Sequence, residues 1–232
     1  MNSSIVLIIF LIFLLYSLSY VSRHSLIVIF NTLSLLFRSK KIASFFISLI
    51  YLPGTFLHES AHAVSATLLM LKLDRFSVWP KFENGGLRLG YVTYFKRDVF
   101  RSILVGVAPV FLGIFLLLAF PLVQGPTFLK AYAIFVITGT MFSSKQDMKD
   151  AIFIIPLLIM LAVIFLLFPE FGVFIKPYMI LGLEYLSPYM YDVVEYVLLA
   201  LAAHAAVFII FKILLILFIY AGKNSRSKFI YK

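Results

Sequence analysis

The chain reads as an all-α polytopic membrane protein of about six transmembrane helices, with one short β-hairpin between the helix that carries its chemistry and the next span. Three observations predict this. Hydrophobic residues make up 63% of the 232 residues and charged residues only 13%, with a mean hydropathy of +1.07, whereas soluble domains are roughly half apolar. The apolar residues fall into runs near the ~20 residues that a bilayer requires. The charges gather in short stretches between those runs. A single membrane-embedded domain over 1–232 is expected, with an N-terminal anchor and a re-entrant or interfacial segment (1–41), a core holding the chemistry (42–168), and C-terminal helices with a basic tail (169–232).

Residues 4–21 are apolar throughout and long enough to span. No Lys or Arg precedes them and no Ala-type cleavage site follows, so they read as an uncleaved anchor. Residues 25–37 are shorter, carry Asn31 and end in Arg38, Lys40 and Lys41, which fits a re-entrant or interfacial helix as well as a span. The apolar run 42–71 contains Pro53-Gly54, a pair expected to kink or interrupt a helix. Within the polar segment 72–101, two short strands between Phe76 and Tyr94 are expected around the turn Glu83-Asn84-Gly85-Gly86. Spans are then expected at 102–123, 129–142, 151–168 and 193–220, with a weaker stretch at 173–187 broken by Lys176, Pro177 and Glu184.

The formal charge of +10 comes from 20 basic and 10 acidic residues. Such clusters orient a membrane protein and meet anionic headgroups. With no separate basic domain, nucleic acid is not an expected partner. By the positive-inside rule the C-terminal tail, the 72–101 loop and the 143–150 segment are expected to be cytoplasmic, while Arg38–Lys41 fits only if 25–52 dips in and out without spanning. The chain has no cysteine, so neither a disulfide nor a thiolate site is available.

Chemistry concentrates in Thr55-Phe-Leu-His58-Glu59-Ser-Ala-His62. On a helix, residues four apart share a face, so both imidazoles can reach one tetrahedral Zn²⁺. Glu59 lies about 100° round the helix, placed to take a proton from water and return it to a leaving amine. Three ionisable side chains in five residues of an apolar helix cost about 2.5 kcal/mol each, or more, unless something compensates them. A divalent cation does so. A catalytic zinc takes three protein ligands and keeps an open position. The third ligand is expected from another span: Asp147 first, Asp150 second, with Glu184, Asp192, Glu195 and His204 as the other candidates. Asp147 and Asp150 also suit the first turn of a helix, where a carboxylate caps free N–H groups. His24 and His204 read as interfacial or interhelical residues, and Gly106, Gly113 and Gly139 as close-packing positions.

These features resemble the site-two protease family of intramembrane zinc metalloproteases. The resemblance covers roughly residues 50–165: His58-Glu59-Ser-Ala-His62 in an apolar helix, a polar hairpin after it, Val107-Ala108-Pro109-Val110-Phe111-Leu112-Gly113 in the next span, and an aspartate at a later helix end. It implies His58, His62 and Asp147 as zinc ligands, Glu59 as general base, and a metalloendopeptidase acting on membrane protein substrates within the bilayer near its cytoplasmic face. The family's aspartate is usually followed by glycine, whereas Asp147 precedes Met148, and no peptide-binding insertion is present. The likeness is therefore to compact, divergent members. The hairpin around 87–94 could pair with an unwound substrate segment. A membrane metal-ion transporter, or a metal-binding membrane protein using the same His/Asp cluster, is the alternative. Nothing in the sequence specifies an oligomeric state.

Overall fold

A computed structural model describes residues 2–79, 81–83, 86–142, 160, 163, 167 and 169–230. The chain runs as helix α1 (Asn2–Leu36), helix α2 (Lys40–Leu68), strands β1 (Leu73–Ser77), β2 (Lys81–Glu83), β3 (Gly86–Arg88) and β4 (Tyr91–Tyr94), helix α3 (Val99–Ala119) with a 3₁₀ turn at Phe120–Leu122, helix α4 (Thr127–Thr140) and helix α5 (Pro169–Ile230). Among the described residues four helices are long and apolar enough to cross a membrane: α1, α2, α3 and the Tyr185–Tyr220 part of α5. Helix α4, with 14 residues, is shorter. The expected span at 151–168 lies almost wholly outside the described residues.

Several expectations change. Residues 25–37 continue α1 without a break, giving one helix of 35 residues in place of an anchor plus a re-entrant segment. The stretch 173–187 joins the last span in one helix that passes through Pro177 and Pro188. Pro53-Gly54 does not interrupt α2. Proline leaves Leu49 O, four residues back, without its helical donor, while the Tyr132 hydroxyl of α4 donates to the adjacent carbonyl, Ile50 O, at 2.6 Å and ties this turn to α4.

Helix α2 is built inside out relative to a soluble helix. Apart from Ile47 and Tyr51, its protein-facing stripe is small or polar, with Ala43, Ser44, Ser48, Gly54, Thr55, Glu59 and His62 among the buried residues. Phe45, Leu49, Phe56 and Val64 are exposed. This is the partition expected when the surroundings are hydrocarbon and helices associate through small residues. Gly54 makes the closest approach: a Cβ there would lie 2.5 Å from Val136 O and 2.6 Å from Thr140 Oγ1 of α4.

Helix α2 ends in a Schellman motif. Leu71 N donates to Ala66 O at 2.8 Å and Met70 N to Thr67 O at 3.0 Å, with Met70 at φ +57. Leu71 packs back into a buried cluster with Ala66 and Val105. Arg101, at the start of α3, donates to Leu69 O at 3.1 Å, while Asp98 caps α3 by accepting from Arg101 N at 2.8 Å. The end of α2 and the start of α3 are thereby held together, and the hairpin rises from that junction.

The expected hairpin is present in two antiparallel ladders, β1 with β4 and β2 with β3. The register of the outer ladder shifts between Leu73 and Arg75, and the extra residue there, Asp74, accepts from Thr93 Oγ1 across the strands at 3.1 Å. Such a bulge increases local twist. Residues 84–85 of the expected turn lie outside the described residues.

Helices α1 and α5 run parallel. Leu14 and Leu18 share a buried cluster with Val193, Val197 and Ala200, and further along Thr32 Oγ1 donates to Phe211 O at 3.1 Å. The end of α1, the start of α2 and the Leu215–Ile219 turn of α5 therefore meet. From there α2 carries the chain about 40 Å, at 1.5 Å per residue, to the hairpin.

Two substitutions test these arguments by thermal unfolding of the purified protein in detergent. Met70→Gly relieves a left-handed residue and is expected to stabilise by about 1 kcal/mol. Gly54→Ala drives a methyl into the α4 backbone and is expected to destabilise by about 1–3 kcal/mol.

Candidate functional site

His58, Glu59 and His62 occupy the second half of α2, and each faces a different neighbour. His62, 5% exposed, faces α3, where its Nδ1 lies 2.8 Å from Val105 O. A carbonyl only accepts, so in the neutral ring Nδ1 carries the hydrogen and Nε2 keeps its lone pair. A hydrogen bond of this kind orients histidines that bind metals.

His58 is half-buried and lines a small cavity of about 10 Å³, room for no more than one water, with Gly54, Pro109, Gly113, Thr140 and Met141. The Val107–Gly113 segment singled out from the sequence thus borders the site through Pro109 and Gly113. Gly113 permits the fit, since a Cβ there would meet the Met141 side chain at 2.7 Å.

The two imidazoles converge. Their Nε2 atoms are 3.2 Å apart and their rings nearly perpendicular, at 86°. Two nitrogens bonded at ~2.0–2.1 Å to a tetrahedral ion are separated by roughly 3.3 Å, so the pair already has the spacing of a chelate.

Glu59, 6% exposed, turns towards the hairpin. A Cβ on Gly90, just before β4, would lie 2.8 Å from Glu59 Cγ and 2.9 Å from its Oε1. Only a residue without a side chain lets the base of the hairpin close over this carboxylate. From His58 to the end of α2 at Leu68 is about 15 Å of helix, so the site lies inside the helical layer, towards the hairpin end.

Asp147 and Asp150 lie outside the described residues. Among the described residues no group of three or more His, Asp or Glu side chains converges as a metal site. Of the other expected candidates, the side chain of Glu184 lies outside what the structure describes, and Asp192 and Glu195 are exposed on α5. His204 is fully buried, but its Nε2 lies 3.2 Å from Thr138 Oγ1 and its ring stacks on Phe135. It takes the interhelical role expected for it.

Three contributors were not singled out as site residues from the sequence: Gly90, the Val105 carbonyl, and the Thr140-Met141 end of α4. Gly90, just before β4, carried the one local signal, because glycine in an otherwise strand-like apolar pattern marks close approach. A backbone carbonyl carries none.

No protein-family model, curated protein or solved structure matches the chain. The class to which fold and composition assign it is that of proteins with several helices able to cross a membrane.

Gly90→Ala tests the closure over Glu59. The new methyl meets Glu59 Cγ and Oε1, and the overpacking is expected to destabilise the protein by about 1–3 kcal/mol in thermal unfolding.

Proposed function

We infer that the protein is a zinc metalloendopeptidase that hydrolyses peptide bonds in or near membrane-spanning segments of protein substrates. The observation that carries this reading is the 3.2 Å separation of the His58 and His62 Nε2 atoms, combined with a buried carboxylate on the adjoining residue of the same helix. His58 and His62 would hold the ion, and zinc when bound acidifies water and polarises a carbonyl. His62 keeps its lone pair directed away from α3 through Val105 O. Glu59 takes a proton from water and delivers it to the leaving amine. Burial under Gly90 excludes bulk solvent from that carboxylate, which strengthens its interactions with charge.

Asp147 is the proposed third ligand, with Asp150 as second choice. Met141 lines the His58 cavity, and Asp147 follows six residues later. Six residues reach at most about 20 Å, so the aspartate is within range of the imidazoles. The base of the hairpin, beside Glu59, offers strand edges to a substrate segment whose own helix has opened.

Orientation follows from the site. We place the hairpin end on the cytoplasmic side and the Arg38–Lys41 turn, with the C-terminal part of α5, on the opposite side. Charge alone does not decide between the faces, because basic residues gather at both ends: Arg38, Lys40, Lys41 and the C-terminal tail at one, and the 72–101 segment at the other. On this reading tail and hairpin lie on opposite faces, where the positive-inside rule applied to the sequence put both in the cytoplasm.

Glu59→Gln is expected to abolish cleavage of a membrane-spanning substrate, by at least about 10³-fold, with zinc still bound. His58→Ala or His62→Ala is expected to lose both zinc and activity, as is Asp147→Ala. Ion flux through reconstituted vesicles without cleavage would overturn the enzymatic reading in favour of transport.

A further inference from the structure

At the end of the bundle remote from Glu59, the α1–α2 turn and α5 line an open groove of about 630 Å³. Its lining divides by chemistry. Arg38, Ser39 and Lys40 sit at the turn, Asn31 and Ser34 lie one to two turns down α1, and Leu35, Leu215 and Ile219 form an apolar wall. Arg38 and Lys40 make no ion pair with any described residue, and the Ser34 hydroxyl is buried with no hydrogen-bond partner among the described residues.

Two further features point the same way. Arg38 is held at φ +51, a left-handed conformation that an arginine adopts only at a cost and that glycine adopts freely. A helix that ends in such a residue usually ends in glycine. Arg38 therefore brings a cation to a position where the backbone alone favours its loss. The N-terminus of α2, a helix of 29 residues, also opens at this turn and favours negative charge.

We propose that this groove binds an anionic phospholipid, with the headgroup phosphate on Arg38, Lys40 and the Ser34 hydroxyl and an acyl chain along Leu35, Leu215 and Ile219. Unpaired cations above an apolar wall at the end of spanning helices match an amphiphile better than a soluble anion, and basic pockets between helices suit lipid headgroups. A lipid seated there would join α5 to the α1–α2 turn.

The test uses the purified full chain in neutral detergent, titrated with short-chain phosphatidylglycerol, phosphatidylcholine or inorganic phosphate, with bound species counted by native mass spectrometry. Phosphatidylglycerol is expected to bind on the order of tenfold more tightly than phosphatidylcholine. Arg38→Gly is expected to weaken it roughly fivefold, as one juxtamembrane cation contributes, without lowering the unfolding temperature. Arg38→Gly with Lys40→Gln is expected to bring it to the phosphatidylcholine level. Ile219→Glu, which leaves the turn untouched, is expected to do the same by repulsion. The assignment is overturned if the double variant keeps the preference, or if Lys96→Gln with Arg97→Gln at the opposite end removes it equally. It is overturned too if inorganic phosphate displaces phosphatidylglycerol at equal concentration, since that outcome describes an ion site without a lipid chain.

Discussion

The constraint on which the rest of the architecture depends is the presence of Glu59 and His62, both nearly buried, within a helix otherwise suited to hydrocarbon. Each polar group placed there needs a partner, because no water reaches it and neutralisation is the only other escape. Val105 O partners one nitrogen of His62, and the His58 ring lies against the other. Glu59 is roofed by the hairpin at Gly90. Val105 and Gly90 come from different elements, so satisfying these polar groups, which lie within about one and a half turns of α2, requires α3 and the hairpin to assemble around them.

Close approach makes that assembly possible. In hydrocarbon, apolar side chains gain nothing by leaving lipid for protein, so helices associate where backbones can touch. Gly54 against Val136 and Thr140, Gly113 against Met141, and Gly139 against Tyr51 and His204 are three such places. The first two flank the His58 cavity. The glycines that allow packing therefore also set the width of the space in front of the imidazole, and structure and site cannot be varied independently there.

Much of this was legible in the sequence, and the parts that were not share a cause. The membrane class, the hairpin, α3 and the facing pair of histidines follow from composition, turn residues and helical periodicity, which are local. The continuity of α1 past Asn31 and of α2 through Pro53 was not legible, because both helices run against neighbours that local sequence does not name: α1 continues along α5 through Thr32 and Phe211, and the Tyr132 hydroxyl of α4 holds Ile50 O in the turn before Pro53. The parallel course of α1 and α5 is likewise a tertiary fact. It separates two basic clusters that a charge count would place together, since that count assumes one crossing per apolar run. The role of Gly90 was hidden because glycine announces only that something comes near, not what.

The depth of the candidate site fixes what could reach it. About 15 Å of α2 separates His58 from the hairpin junction, and α3 is tied to that junction through Arg101 and Leu69 O. A soluble peptide entering from the far end would have to pass the packed interface of α1, α2 and α5 around Ile29, Ile47 and Tyr51, where Ile47 and Tyr51 are almost fully buried. Among the described residues that interface closes the far end. On the peptidase reading, a substrate arriving laterally would come as a helix whose carbonyls are already hydrogen-bonded, and would expose one only by unwinding. Strand edges beside Glu59 would then supply the hydrogen bonds that the unwound segment loses. On the peptidase reading, the hairpin and the buried carboxylate thus form a single device: the same closure that hides Glu59 from water brings an edge able to hold extended backbone within reach of it.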